Sequence, residues 1–179
     1  HDAAKALTVL AGRDDRDMTS SYEAVADYEK AINSDIGGKR IAVFDNVLEA
    51  IEDSRILDNF KQLCETLKKR GAIVEHVRLD DSLMNALVPV YFIISNAEAT
   101  ANHSNLDGIR FGMREDGDTM EEIMIHTRTK GFSSYVRKRF VIGSYSLFEE
   151  NQEKIFRKAQ KVRRKIVEEL ARVMNGYDV

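Results

Sequence analysis

Two short apolar runs on either side of an amphipathic stretch constrain the fold of this chain more than any other feature. The runs are RIAVF, residues 40–44, and AIVEHVRL, residues 72–79, and both have the length and apolar character of a buried strand. Between them, apolar residues recur three and four positions apart, which predicts a helix from about Leu48 to the basic residues before Gly71. Strand, helix and strand in this order predict two parallel strands joined by a right-handed crossover.

Helices are predicted for three other segments in the first 102 residues. They are a stretch that stops at Gly12, the segment from Tyr22 to Ile32, and a long segment that begins at a cap formed by Asp81 or Ser82 and runs towards Asn102. We expect Pro89 to kink or restart the long helix, because proline supplies no N–H to the helical ladder. A turn at residues 35–38, Asp-Ile-Gly-Gly, is predicted before the first strand.

Capping boxes predict two further helices. Thr119 and Glu122 form one box before a helix that ends near Gly131, and Ser146 and Glu149 fit the same pattern. The second predicted helix carries an apolar stripe and ends at residues 175–176, Asn-Gly. The predicted fold class is therefore α/β, as a helix-rich, layered fragment with a small, mostly parallel sheet.

Composition excludes several classes of protein. The chain is 43% hydrophobic and 32% charged, which is ordinary for a soluble globular domain, and no apolar run approaches the roughly 20 residues of a membrane span. A net charge of −3 provides no global field that would attract a polyanion. The one cysteine, Cys64, is interpreted as a core residue, and its lack of a disulfide partner favours a cytoplasmic location. Because the chain starts at His1 without a leader, we expect it to be a fragment of a longer protein.

Motifs for metal, phosphate or nucleophile chemistry are missing from the sequence. The four histidines form no His-x-x-x-His pair, and one cysteine cannot complete a structural zinc set. Residues 37–39, Gly-Gly-Lys, lack the Ser or Thr and the upstream glycine of a phosphate loop and are interpreted as a tight turn. No G-x-S-x-G elbow or S-x-x-K pair occurs. The basic cluster on the last helix is balanced by glutamates and is interpreted as a solvated face.

Two strings of sequence carry a resemblance to a known family. In YFIISNAEATANHSNLDGIRFG, residues 91–112, small residues allow another backbone to approach, and a turn at Asp107 and Gly108 places Arg110. Those small residues are Ala97, Ala99 and Ala101. Together with TRTKGFSSYVRKRFVIGSYSL, residues 127–147, this string resembles the amidase signature family, and within it the A subunits of bacterial glutamyl-tRNA(Gln) amidotransferases. AGRDDRDMTSS and GGKRIAVFDN resemble further segments of that family in the same order, so the similarity spans essentially the whole chain.

The resemblance implies a single partial domain over residues 1–179, from the middle to the C-terminal part of an amidase domain. The family uses a triad of Ser, cis-Ser and Lys for nucleophilic acyl transfer. The resemblance places this triad upstream of His1, so no catalytic residue is expected in this chain. Tyr91 and Arg139 occupy places that resemble the family's aromatic and arginine contacts to glutamine. An alternative interpretation of Arg139 is an exposed helix arginine beside Arg137 and Lys138.

For the parent enzyme, the resemblance implies glutamine hydrolysis and transfer of ammonia to a B subunit that converts Glu-tRNA(Gln) to Gln-tRNA(Gln). The B and C subunits are the implied partners, tRNA is reached only through the complex, and no membrane partner is expected. No metal or cofactor is expected in this chain, with ATP and magnesium on the B subunit. We also expect the fragment to self-associate through exposed sheet edge and apolar helix surface. Two alternatives are a general small-molecule amidase and a helical interaction module without catalysis.

Overall fold

The elements of the fold are described by a computed structural model for residues 1–32 and 35–179. In chain order they are helix α1 (Asp2–Leu10), α2 (Tyr28–Ile32), strand β1 (Arg40–Phe44), α3 (Asp45–Leu48), α4 (Ser54–Lys69), β2 (Ile73–Val77), α5 (Asp81–Asn102), α6 (Met120–Gly131), α7 (Ser134–Leu147), α8 (Glu149–Gln152) and α9 (Phe156–Met174). A 3₁₀ turn, His103–Asn105, follows α5. The helix-rich α/β class predicted from the sequence is confirmed.

The two predicted strands pair in parallel, with Ala42 opposite Glu75 in the register. Gly38 has a φ of 77°, and the N–H of Lys39 donates to the carbonyl of Ile36 at 3.1 Å, so the predicted turn before β1 is confirmed. The last residues of the chain run along the other edge of β1, where the Ala42 N–H donates to the carbonyl of Val179 at 2.8 Å. Strand β1 therefore has hydrogen-bonded backbone on both sides.

The helix between the strands ends where predicted but begins six residues later than the predicted start near Leu48. The side chain of Asp53 accepts a hydrogen bond from the N–H of Arg55 at 2.9 Å and so caps α4 at Ser54. This cap competes with continuation of α3, and the chain between the two helices is irregular. Gly71, with a φ of 88°, ends the helix in the left-handed conformation that glycine favours. Cys64 is buried on α4, as predicted.

The predicted helix from Tyr22 to Ile32 is wrong for its first half, because only residues 28–32 are helical. The carboxylate of Asp27 accepts a hydrogen bond from the N–H of Lys30 at 3.0 Å, which places the helix start after residue 27. Tyr22 instead stacks on Arg13, whose guanidinium carbon lies 3.7 Å from the ring centroid. This cation–π contact favours the irregular conformation of the preceding segment.

Helix α5 runs unbroken for 22 residues, so the new start expected at Pro89 does not occur. Asn85, whose carbonyl loses its partner at Pro89, is exposed, and water can take over that hydrogen bond. The cap is Asp80 rather than Asp81 or Ser82, since its carboxylate accepts from the N–H groups of Ser82 at 2.8 Å and Leu83 at 3.1 Å.

One of the two predicted capping boxes is confirmed and the other is wrong. Thr119 and Glu122 form the full reciprocal box before α6. Ser146 instead lies inside α7, where its side chain is 2% exposed and its hydroxyl donates to the carbonyl of Gly143 at 2.7 Å. The last long helix therefore begins only at Phe156, and its predicted end at residues 175–176 is confirmed by Gly176, with a φ of 110°.

A cluster of buried apolar residues is centred on α5, which packs against both α7 and α9. Val90 and Ile94 of α5 and Ala159 of α9 are 7%, 6% and 3% exposed, respectively. The partly buried residues around them are Ala86, Ile93, Phe156 and Val162. Because α5 and α7 carry the two strings of the family resemblance, their packing places those strings in contact.

Candidate functional site

Helices α5 and α7 approach each other most closely at Gly143. A Cβ atom added there would lie 2.2 Å from the carbonyl oxygen of Asn96 and 2.1 Å from the hydroxyl of Thr100. The Thr100 hydroxyl lies 2.8 Å from the Asn96 carbonyl oxygen and 3.3 Å from that of Phe140, so it contacts both helix backbones. A glycine is therefore required at position 143 for the two helices to pack this closely.

The structure corrects the role predicted for Ala101 of α5 but not that predicted for Ala97. Ala97 is 1% exposed, but Ala101 is exposed at the end of the helix. Gly143 of α7 is a further small residue that allows the two backbones to approach, and it was not among those predicted. Of the three alanines, only Ala97 is fully buried.

Arg139 lies one helical turn before Gly143 and points its guanidinium across the α5–α7 interface. Its Nε donates to Oδ1 of Asn96 at 2.9 Å. The guanidinium carbon lies 5.5 Å from the ring centroid of Phe92 and 5.6 Å from that of Tyr135, within the range of cation–π attraction. Arg139 is therefore a half-buried, partnered side chain, which contradicts the alternative of an exposed helix arginine.

An open, mostly apolar cavity of about 320 Å³ lies at this guanidinium. Its walls are Phe92, Ile93, Asn96, Tyr135, Lys138, Arg139 and Ile142. A cation beside aromatic and aliphatic walls is the arrangement that binds a small ligand with one anionic group and an apolar body.

Tyr91 does not line that cavity. It is 59% exposed and faces a second groove, of about 410 Å³, between α5 and α9, which also includes Leu87 and Leu170. Phe92 connects the two residues, since its ring centroid lies 5.5 Å from that of Tyr91 and 5.5 Å from the guanidinium carbon of Arg139. The structure thus places Tyr91 and Arg139 beside the same aromatic residue, Phe92, and their roles in binding glutamine stay predictions.

The predicted turn at Asp107 and Gly108 is confirmed. The carboxylate of Asp107 accepts from the N–H groups of Ile109 at 2.8 Å and Arg110 at 3.2 Å, and Gly108 has a φ of 80°. These two backbone donors, with that of Ile109 contributing most, hold the pKa of Asp107 below its ordinary value. A Cβ on Gly108 would lie 2.4 Å from the hydroxyl of Thr127, so a glycine is required here too.

Thr127 and Arg128 hold this turn against α6. The N–H of Glu115 donates to the hydroxyl of Thr127 at 2.9 Å. Arg128 donates to the carbonyl oxygens of His103 at 2.8 Å and Leu106 at 2.9 Å. The two sequence strings that carried the family resemblance therefore meet at a second place, where their role is structural.

Ionisable side chains gather around the carboxyl ends of β1 and β2. His76 Nδ1 lies 2.6 Å from a carboxylate oxygen of Asp45, and Arg78 donates to Glu49 at 2.8 Å and to Asp81 at 3.0 Å. The hydrogen bonds that Arg78 donates to these carboxylates, first to Glu49 and then to Asp81, raise the pKa of Arg78, and the bond to Arg78 lowers the pKa of Asp81. All of these groups are solvent-exposed, and we interpret them as links between α3, β2 and the start of α5.

Across residues 1–32 and 35–179 no group of three or more His, Cys, Asp or Glu side chains is placed to bind a metal ion. In the same residues, no helix combines the length and the hydropathy needed to cross a membrane.

Sequence reasoning missed Asn96, Phe92 and Tyr135 as neighbours of Arg139. Asn96 carried a signal, because it is an amide in an otherwise apolar part of α5, and a buried amide needs a hydrogen-bond partner. The identity of that partner could not be read from the sequence, since Arg139 is 43 residues away. Gly143 also carried a signal, because glycine inside a helix usually has a packing reason.

Comparisons with known proteins agree with these observations. The family model described as Amidase matches residues 1–179. The glutamyl-tRNA(Gln) amidotransferase A subunit from Streptococcus uberis is 39% identical over 177 residues, and that from Lactobacillus delbrueckii subsp. bulgaricus is 34% identical over 178 residues. These alignments cover 98% and 99% of this chain but only 36% and 37% of the relatives, so the chain spans about a third of their length.

The fold of this chain also matches part of a solved structure. The crystal structure of the glutamyl-tRNA(Gln) amidotransferase A subunit from Thermotoga maritima superimposes with a TM-score of 0.66 and 29% sequence identity. The superposition covers 99% of this chain and 33% of the solved one. The fold, the family model over every residue and these relatives together show that the chain belongs to the amidase family.

Proposed function

We propose that this chain is part of the glutamine amidase subunit of a tRNA-dependent amidotransferase, which supplies ammonia to convert Glu-tRNA(Gln) to Gln-tRNA(Gln). The similarity of nearly the whole chain to the A subunits of glutamyl-tRNA(Gln) amidotransferases carries this proposal. Within such a protein, residues 1–179 form one partial domain, and the nucleophile and its bases lie in the remaining two thirds.

The exposed surface supports the view that the chain is one part of a larger domain. Its accessible surface is 13487 Å², whereas a folded monomer of 20.4 kDa exposes about 8,800 Å². Large apolar side chains contribute to the excess, among them Leu10, Met18 and Val141, which are 81%, 95% and 70% exposed. Such a surface favours packing against further protein over the alternative of a free-standing helical module.

The contribution of this chain to the reaction is binding rather than bond cleavage. The planar fork of Arg139 pairs both oxygens of the glutamine α-carboxylate, and each charged hydrogen bond contributes about 1.5–3 kcal/mol. The rings of Phe92 and Tyr135 lie 5.5 and 5.6 Å from the guanidinium carbon, within the range of cation–π attraction, and help to hold it in place. Tyr91 is the second proposed contact to glutamine, and its ring centroid lies 5.5 Å from that of Phe92.

The remaining parts of the reaction belong to other subunits. Ammonia passes to a B subunit that holds ATP and magnesium and activates the glutamate on tRNA(Gln). The C subunit completes the complex, and tRNA is bound through the complex rather than through this chain. The net charge of −3 agrees with this division of labour, because it provides no field that would attract tRNA to this chain. Modification of tRNA for protein synthesis favours a cytoplasmic location.

Arg139→Ala in the full-length subunit, assembled with its B and C subunits, tests the proposal. We expect KM for glutamine to rise at least tenfold, because the carboxylate loses a bidentate partner, while formation of Gln-tRNA(Gln) from free ammonium is unchanged. Arg137→Ala is the matched control, since Arg137 is an exposed arginine on the same helix.

Equal loss of glutamine-dependent and ammonium-dependent activity in Arg139→Ala would refute the binding role. Glutamine hydrolysis by the wild-type complex without any transfer to Glu-tRNA(Gln) would instead favour a general small-molecule amidase.

A further inference from the structure

We infer that Asn96 is a positioning residue that holds the guanidinium of Arg139 in the orientation needed to bind the carboxylate of the substrate. This inference rests on the proposed role of Arg139 in the glutamine pocket. It adds a residue that does not itself touch the ligand and acts only through the arginine.

Asn96 is built into the packed interior between α5 and α7. Its side chain is 2% exposed, and its Oδ1 accepts the hydrogen bond from Arg139 Nε at 2.9 Å. A buried amide oxygen without a donor would cost about 1–3 kcal/mol, so the pair is maintained by the penalty for breaking it. The backbone of Asn96 is held as well, because Thr100 contacts its carbonyl oxygen and Gly143 packs on it.

The hydrogen bond from Nε to Asn96 leaves the two terminal nitrogens of Arg139 available for a ligand. A guanidinium has five N–H donors in a rigid plane, and Nε carries only one of them. Within the described part of the chain, the side-chain hydrogen bond of Arg139 is made by Nε and not by its terminal nitrogens. With Nε held by Asn96 and the plane flanked by Phe92 and Tyr135, both terminal nitrogens remain for one bidentate ligand in the cavity.

The neutrality of the amide matters as much as its position. An aspartate at position 96 would also accept from Nε, but its negative charge would pair with the guanidinium and oppose a second carboxylate. Asparagine orients the cation without neutralising it. The charge of Arg139 is therefore reserved for an anionic ligand.

Asn96→Ala in the full-length subunit with its partner subunits is expected to raise KM for glutamine about tenfold, with ammonium-dependent formation of Gln-tRNA(Gln) unchanged. Asn96→Asp is expected to raise KM as well, although it keeps the acceptor. Ser95→Ala is the control on the neighbouring position, because the Ser95 hydroxyl has no partner within the described residues. We expect that variant to keep the glutamine dependence of the wild type.

A double-mutant cycle with Arg139→Ala separates positioning from general damage to the fold. If Asn96 acts through Arg139, Asn96→Ala has no further effect on KM in the Arg139→Ala background. A tenfold effect that persists in that background, or a parallel loss of ammonium-dependent activity, overturns the inference while the proposed function stands. If Arg139→Ala itself leaves KM for glutamine unchanged, the proposed pocket fails and the inference fails with it.

Discussion

Replacement of Gly143 by alanine tests the packing of α5 against α7. The added Cβ would lie 2.2 Å from the carbonyl oxygen of Asn96, whereas real Cβ atoms stay about 3.0 Å or more from such atoms. The neighbour is helix backbone and cannot rotate away, so α7 must move from α5 by about 1 Å. Overpacking of this kind costs about 3 kcal/mol, at the upper end of the usual range.

The gain in helix propensity offsets only part of that cost. Alanine is about 1 kcal/mol better than glycine inside a helix. The net expectation is a loss of about 2 kcal/mol, which corresponds to a decrease of about 4–8 °C in the melting temperature of a domain of this size. Thermal unfolding followed by far-ultraviolet circular dichroism measures this decrease.

Val141→Ala is the matched control for Gly143→Ala. Val141 lies on the same helix and is 70% exposed, so its truncation is expected to leave the melting temperature within about 2 °C of the wild type. A Gly143→Ala variant as stable as the wild type, or more stable, would show that glycine is not required for the packing of α7 on α5.

Three further predictions concern the second contact between the sequence strings and the exposed surface. Thr127→Val removes the acceptor for the N–H of Glu115 and is expected to lower the free energy of unfolding, measured with urea, by about 1–3 kcal/mol. Thr127→Ser keeps the acceptor and is expected to lower that free energy by less. Equal losses in the two variants would contradict the role of the hydroxyl. The folded-state pKa of Asp107 is lowered from its ordinary value of 3.8, so its charged form stabilises the fold above that pH, and this contribution disappears as the pH falls through the lowered pKa. The difference in melting temperature between wild type and Asp107→Asn should therefore shrink below about pH 4, and a difference that stays constant from pH 6 to pH 3 would refute this. The chain by itself is expected to form dimers or larger species in sedimentation velocity as its concentration rises, because of its excess apolar surface; a monomer at every concentration would contradict that expectation.

Local signals were sufficient to predict β1, β2 and several helix ends. The run from Arg40 to Phe44 is a strand with the predicted bounds, and Gly71 and Gly176 end their helices because a left-handed residue favours glycine wherever it occurs. These features depend on residues within one turn or one strand. They can therefore be predicted without knowledge of the remaining fold.

Local signals failed where a distant contact decides between two permitted conformations. The pattern around Ser146 fits both a capping box and a helix interior, and burial of α7 favours the interior. Pro89 is compatible with an unbroken α5 because Asn85, whose carbonyl loses its partner there, is an exposed residue. In both cases tertiary packing, rather than the local pattern, selects the observed structure.

The candidate site also combines residues that the sequence predicted with a residue that only the tertiary packing identified. Arg139 and Tyr91 were predicted from a sequence motif. The contact of Asn96 with Arg139 could be seen only once the distance between α5 and α7 was known. That distance depends on Gly143, because one methyl group at this position would separate α7 from α5 by about 1 Å. The same displacement would stretch the 2.9 Å bond between Arg139 and Asn96 beyond hydrogen-bond range. The proposed pocket therefore predicts that Gly143→Ala in the full-length subunit weakens glutamine binding along with the fold.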